Sequence, residues 1–551
     1  MTETKKIEKE KTQKKISFTS AILMVMGSSI GAGIFFKSDQ VLEYSHASLI
    51  LAIFAWVLGF VAVVVMGLSL VEISSVKNDN LSFVGWCKAF NSKTIYKAAR
   101  NFNSYLCFPL IFFVIPLYVV LSLQDGISGI INKPATFGTG VDWIIWVVIS
   151  LTITLYFILT SGINTKFGAK QNLFILSIKF IPLVFIVIMG FVLVGMNASG
   201  VKSVSLTIKE NTDTTLANGF ELFQMPKFGA FIGVFLAIAA IFFAYDGFFT
   251  TCGIQSDMKE PKKTPLAILL GLVFTTIIYL FIAILFSING GTILSMQKYS
   301  ENIMNPRTSQ IIFGVLNILI AIGVMGIING FAMWAPKYYE ELMFNGELPL
   351  WKKAIKKYRN NYSIIGVAYT LLFSVPFILI FSVVGALGYI ETPNTLTDIY
   401  KKTSEMNKLY NFSNVMANWM ALLTFTFIAL PILGGIINRK TQKVLVPKKY
   451  SYFLPSAWIC CIITFLALTA LIVSPFVNLI ALAFVEKAKM TSSMIVSRVV
   501  TVVILLAFIA VSFLPIPFEN KNIIKKYGNE ENYQKFVKEY IQKQNIMIKK
   551  I

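Results

Sequence analysis

The chain has 551 residues, 56% of them hydrophobic and 14% charged, with a mean hydropathy of +0.70. A soluble domain carries about 25% charged residues, so a water-soluble globule is excluded, and the apolar runs of about 20 residues read as membrane-crossing helices. The formal net charge of +22 sits between those runs, where a membrane surface explains it without nucleic acid as a partner.

Residues 1–16 form a lysine-rich polar tail with no cleavable signal pattern, and we expect it to stay cytoplasmic. Twelve spans are predicted at approximately 17–36, 48–72, 102–123, 142–161, 170–196, 229–255, 265–289, 309–334, 362–389, 412–437, 452–474 and 493–515. The apolar stretch 475–485 either lengthens the eleventh span or lies at the interface. With both termini inside, the cytoplasmic segments hold about 35 of the 49 basic residues, which is the positive-inside asymmetry of a multi-pass cell-membrane protein. Lys352-Lys353, Lys356-Lys357-Arg359, Arg439-Lys440 and Lys448-Lys449 all then fall inside. The tail 516–551 pairs Phe536 with Tyr540 and Val537 with Ile541 at helical spacing, so a short cytoplasmic surface helix is expected there.

Little in the chain supports chemistry on a substrate. The five cysteines show no disulfide framework and no zinc spacing, and His46, the one histidine, falls in a loop. No cofactor, metal cluster or paired catalytic carboxylates can be read, so an enzyme is not expected. Oligomeric state is not legible.

Two spans carry anomalies. In span 1, the run Gly27-Ser28-Ser29-Ile30-Gly31-Ala32-Gly33 puts three glycines in seven residues. A helix-packing stripe needs small residues at spacing four. Gly27 and Gly31 fit that spacing, but Gly33 and the serines lie elsewhere around the helix. An unwound stretch fits better, and such backbone persists at membrane depth only beside protein or a cavity. Its free amides would suit an anion. In span 6, Phe243-Ala244-Tyr245-Asp246-Gly247-Phe248 sets a carboxylate and a glycine in an apolar run. Asp246 either caps a second half-helix through amides one turn on or touches a ligand, and both roles imply a break. Breaks five spans apart suggest an inverted repeat with a central site.

These residues resemble the amino acid–polyamine–organocation (APC) superfamily. Gly27 to Phe35 (GSSIGAGIF) is similar to its first-helix signature, and Trp56 with Ser69-Leu70-Val71-Glu72 to its second helix. The stretch Gly162-Ile163-Asn164 to Pro182-Leu183 resembles the fourth-to-fifth junction. FAYDGF with Ser256-Asp257-Met258-Lys259-Glu260-Pro261 resembles the sixth helix and its loop, and Asn345-Gly346-Glu347-Leu348-Pro349 the end of the eighth. The resemblance covers roughly residues 17–440. It departs from the family at Asp257, where a glutamate is usual, and at Lys337-Tyr338-Tyr339-Glu340-Glu341, where an arginine followed by small residues is usual.

The resemblance implies an all-α polytopic membrane protein of about twelve transmembrane helices, with a LeuT-type 5+5 inverted repeat and broken helices 1 and 6. Its ten-helix transport core would occupy 17–440, with helices 11 and 12 in 441–515. The implied function is secondary active transport of amino acids by alternating access. Proton-coupled symport or substrate exchange is expected rather than Na⁺ coupling. The alternatives are a polyamine or cationic amino acid exchanger, or a non-transporting sensor of the same fold. Substrate contacts would come from Ser28, Ser29, Gly31, Ala32 and Gly33 on one side and Phe243, Ala244, Tyr245, Asp246 and Gly247 on the other, with Phe243 as an aromatic gate. Lys179 stands about ten residues inside span 5, too deep to snorkel. Burial disfavours a charged lysine, so Lys179 is the candidate proton carrier. In proton-coupled relatives such a lysine occupies the place where sodium-coupled relatives bind Na⁺. From Gln310 to Glu341, where the second sodium site of this fold draws hydroxyls, there is no serine or threonine.

Overall fold

The computed structural model describes residues 16–77, 79–199, 219–225, 228–357, 362–389 and 404–549. The basic tail, most of the loop expected at 197–228, and Arg359 of the basic cluster lie outside them.

All the regular structure among the described residues is helical, and twelve helices are long and apolar enough to cross a membrane. They are span 1 (Phe18–Phe36), 2 (Leu49–Val76), 3 (Lys93–Ile131), 4 (Asp142–Ile163), 5 (Thr165–Gly195), 6 (Phe228–Tyr245), 7 (Pro261–Ile288), 8 (Pro306–Phe344), 9 (Ile364–Gly388), 10 (Glu405–Thr441), 11 (Phe453–Phe484) and 12 (Met494–Tyr527). Every expected span is present. Spans 3, 8 and 10 run further than their apolar stretches, because polar turns continue the helices beyond membrane depth. The stretch 475–485 lengthens span 11. We call the face at which span 1 begins the near face and the opposite one the far face.

Spans 3 and 8 form the central strut. Glycine lets them approach closely: a Cβ on Gly126 would lie 2.9 Å from the Gly314 carbonyl, and one on Gly314 2.8 Å from that of Gly126. Backbone contact of this kind supplies packing between membrane helices, where no hydrophobic force acts in lipid.

A charged knot closes the near face. Arg100, buried at the start of span 3, bonds the Glu519 carboxylate and lies 3.6 Å from Glu347. Glu347 also takes Lys88 at 3.3 Å and the Tyr96 hydroxyl. Lys97 reaches Glu519 at 3.2 Å, Glu530 at 3.6 Å and Asn520 at 2.7 Å. The C-terminal segment is thus more than a surface helix. It forms two helices, Pro515–Tyr527 and Glu530–Lys549, whose apolar stripe packs on protein. Val537 is buried against Gly346, the Tyr533 hydroxyl donates to the Gly346 carbonyl, and Tyr540 meets Trp351 edge-on at 5.3 Å.

Candidate functional site

Span 1 is broken. Its first half (Phe18–Ser29) ends at Ile30 in extended conformation (φ −69°, ψ 115°), Gly31 is also extended, and a second half resumes at Ala32–Phe36. The break is shorter than the glycine run: Gly27, Ser28 and Ser29 remain helical. Span 6 breaks after Tyr245. Asp246 and Gly247 form a turn, and the chain resumes as a 3₁₀ helix, Phe248–Asp257. Gly247 has φ +101°, a conformation that side chains other than glycine rarely adopt.

The two breaks touch. A Cβ on Gly33 would lie 2.1 Å from the Ala244 Cα, and one on Gly247 2.5 Å from the Ser28 carbonyl. The glycines are there so that backbone can meet backbone.

A helix end leaves carbonyls without amide partners, and at membrane depth each needs a donor. At the first break each of three carbonyls has one. Lys179, 1% exposed, donates its ammonium to Gly27 O at 2.6 Å and to Ile30 O. The Tyr279 hydroxyl lies 2.9 Å from Ser29 O and 2.9 Å from Ala244 O, so its single hydrogen is shared between the carbonyl ends of both broken helices. Gly27 and Ile30, three residues apart, lie on one side of the helix, and Ser29 lies on the other. One break is therefore held from span 5 and from span 7.

The expected site residues separate into groups. Ser28 bonds back to Met24 O at 2.8 Å and Val25 O at 3.2 Å, so its hydroxyl is committed to its own helix. Ser29 Oγ is buried with no hydrogen-bond partner among the described residues. Asp246, 3% exposed, accepts from the amide of Gly247 next to it at 3.0 Å, not from amides one turn on. A cap one turn on, one of the two roles read for Asp246 in the sequence, is not the bond observed; the second segment starts as a 3₁₀ helix at Phe248. The Tyr245 ring packs on Phe60 and Tyr279, and its hydroxyl meets Thr276 at 3.1 Å, which directs it toward span 7. Among the described residues neither Lys179 nor Asp246 makes an ion pair.

Layers close the breaks from both faces. On the far side Phe243 meets Tyr118 at 5.7 Å, and the Lys37 ammonium lies 5.1 Å from the Phe243 ring centre. Lys37, fully buried, donates to Asn414 Oδ1 at 2.7 Å and to Gln40 at 3.3 Å, which ties span 1 to span 10. Phe243 is therefore buried beneath Tyr118 and Lys37 and does not face lipid. On the near side Phe249 packs edge-on against Phe83 and Trp334, both at 5.5 Å, and Phe108 meets Trp334 at 4.7 Å. Trp334 donates to Asn80 O at 2.9 Å. The two breaks thus meet between aromatic layers on either side.

A family model described as "Amino acid permease" matches residues 16–508. The chain belongs to the amino acid permease family of the APC superfamily. It is therefore a multi-pass membrane transporter and not an enzyme. A protein of Mycoplasma pneumoniae titled as uncharacterized is 43% identical over 96% of this chain and 98% of its own length. The serine/threonine exchanger SteT of Bacillus subtilis is 24% identical over 62% of this chain and 70% of its own. Among solved structures, MhsT in complex with L-phenylalanine superposes with a TM-score of 0.53 at 14% identity, covering 82% of this chain and 98% of that one. This likeness carries the LeuT-type fold.

Sequence reasoning missed several permease residues. Tyr279 is the one tyrosine of span 7 and stands inside its apolar run, a weaker signal than Lys179 because Thr275 and Thr276 lie beside it. Lys37 reads as an ordinary helix end, and only the fold brings it to Asn414. Asn172 of span 5 backs the first break, its amide 2.6 Å from where a Gly27 Cβ would stand.

Proposed function

We propose that this permease moves amino acids by alternating access without sodium, with Lys179 as the residue whose protonation follows the transport cycle. The observation that carries this reading is the Lys179 ammonium on the Gly27 and Ile30 carbonyls. A fixed cation there supplies what a bound metal ion would otherwise supply to the unwound backbone. Losing its proton would remove the charge that strengthens both hydrogen bonds and so loosen the first break. The substrate carboxylate is assigned to the amides around Gly31, Ala32 and Gly33, and the ammonium to the carbonyl end at Phe243, Ala244 and Asp246. Both termini are placed in the cytoplasm, so the near face is the inner one.

Substrate exchange is the second reading, favoured by the likeness to SteT. It points to small neutral amino acids such as serine and threonine.

Purified protein in proteoliposomes, assayed with labelled L-serine and a competition panel of the other natural amino acids and polyamines, tests both. Sodium-independent uptake driven by an inward proton gradient supports symport. Uptake only into vesicles preloaded with amino acid supports exchange. No uptake in either arm across the panel, or a strict need for Na⁺, refutes the proposal. Lys179→Met should abolish pH dependence while the protein still inserts.

A further inference from the structure

Lys179 reaches the first break through a slot in span 8. A Cβ on Gly326 would lie 3.0 Å from Lys179 Nζ, 3.1 Å from Ile175 Cγ2 and 3.3 Å from the Gly27 carbonyl oxygen. A Cβ on Gly323 would lie 2.9 Å from Lys179 Cγ and 3.7 Å from its Cε. Three residues apart, the two glycines share a helix face, and together they follow the lysine side chain from its stem to its charge. Glycine is a poorer helix former than alanine in a helix interior. Neither has positive φ, so backbone conformation does not require glycine at either position. What both positions require is the missing side chain.

We propose that Gly323 and Gly326 are positioning residues that fix the Lys179 ammonium on the Gly27 and Ile30 carbonyls. The inference rests on the reading of Lys179 given above. An ammonium has three N–H groups, two of which meet these carbonyls; on another side the nitrogen faces Gly326. A methyl group at Gly326 meets the flexible end of the lysine first, at 3.0 Å against 3.1 Å for Ile175 and 3.3 Å for the Gly27 carbonyl, so the ammonium gives way before the backbone does. It would then leave the 2.6 Å contact with Gly27 O. Among the described residues no charged group on spans 1, 4, 7 or 8 pairs with Lys179. The titratable groups at the same two breaks include Tyr279, Asp246 and Tyr245, which meet respectively the Ser29 and Ala244 carbonyls, the Gly247 amide and the Thr276 hydroxyl.

The test is the pH profile of initial uptake in proteoliposomes, using labelled L-serine or the amino acid that the competition panel selects. Gly326→Ala should lower the rate about tenfold, the order of one lost hydrogen bond, and shift the profile's midpoint by about half a pH unit or more. Gly323→Ala should act in the same direction. Gly314→Ala, which crowds the Gly126 carbonyl instead, should lower the melting temperature and leave the midpoint in place. In the Lys179→Met background, Gly326→Ala should change the rate less than about twofold. A wild-type profile for Gly326→Ala, or an undiminished tenfold loss in the Lys179→Met background, overturns the slot. A Lys179→Met variant that keeps the wild-type rate and profile overturns the coupling reading instead, so the two failures are distinguishable.

Discussion

Removing one oxygen atom tests how the two breaks are held. Tyr279→Phe keeps the ring against Tyr245 and deletes the hydroxyl that lies 2.9 Å from both Ser29 O and Ala244 O. One hydrogen cannot fully serve two acceptors, so the loss is one net hydrogen bond of about 1 kcal/mol plus a buried carbonyl left bare, at about 1–3 kcal/mol. The carbonyls relax away from each other, which recovers part of this, and a net cost of about 1.5 kcal/mol follows. The same two carbonyl ends flank the place assigned to the substrate ammonium. If the whole cost falls on binding, KM rises about tenfold. The assay is initial uptake over a range of substrate concentration for Tyr279→Phe, beside Thr276→Val, which removes the neighbouring contact between spans 6 and 7. A tenfold KM change confined to Tyr279→Phe supports the reasoning. A KM within twofold of wild type, with melting temperature unchanged, refutes it.

Other outcomes follow from the same geometry. Gly33→Ala puts a methyl 2.1 Å from a backbone atom of span 6. The halves must separate by about 1 Å, and uptake should fall about a hundredfold in protein that still inserts; near-normal uptake would show that the halves need not meet. Arg100→Met strips Glu347 and Glu519 of their shared cation. Thermal melting in detergent should show a loss of about 2–4 kcal/mol, below the range for fully buried pairs because Glu519 is partly exposed. An unchanged melting temperature would mean that Lys88 and Lys97 suffice. Glu530 contributes to the pH dependence of the tail. Burial pushes its carboxyl up, but the Lys93 hydrogen bond and the Lys97 and Lys93 charges outweigh burial and hold it below the ordinary glutamate range. A carboxyl lowered in the folded state stabilises above the unfolded value of about 4.3 and loses that contribution as pH falls further. Limited proteolysis of residues 515–549 should therefore accelerate below about pH 4.3; a rate flat to lower pH would remove Glu530 from the clamp.

What the sequence discloses depends on how local the physics is. Hydrophobic runs read directly as spans because crossing a membrane is a property of each run alone. Both breaks were visible because glycine and a carboxylate are locally expensive in a membrane helix. Lys179 was visible for the same reason. The partners were not. Lys37 and Asn414 stand 377 residues apart, and nothing around either shows that a buried ammonium will need that carbonyl and amide. The tail shows the limit of periodicity. Its helical spacing was legible, but the same stripe suits a bilayer surface or a protein groove, and only Gly346 and Trp351 decide for protein.

The first break is best understood as a junction. Two of its carbonyls are held by a cation from span 5, which lies in the slot of span 8, and the third by a hydroxyl from span 7 that also holds span 6. The first tie joins the break to spans 5 and 8, and span 8 packs on span 3 in the central strut. The second joins it to the other broken helix. Alternating access requires those two groups of helices to rock against each other. A carbonyl end fastened to both cannot follow both. One set of hydrogen bonds must lengthen whenever the groups separate, and the tie that loss of a proton would weaken is the lysine. Coupling would then need no separate proton channel and no conformational relay. It would follow from which of two donors lets go of three neighbouring carbonyls. Lys179→Met and Tyr279→Phe should accordingly have opposite effects on trapping: the first should free the break from the strut and the second from its partner helix. Cysteine accessibility from the two faces should change in opposite directions in the two variants, and a change in the same direction in both would refute the junction.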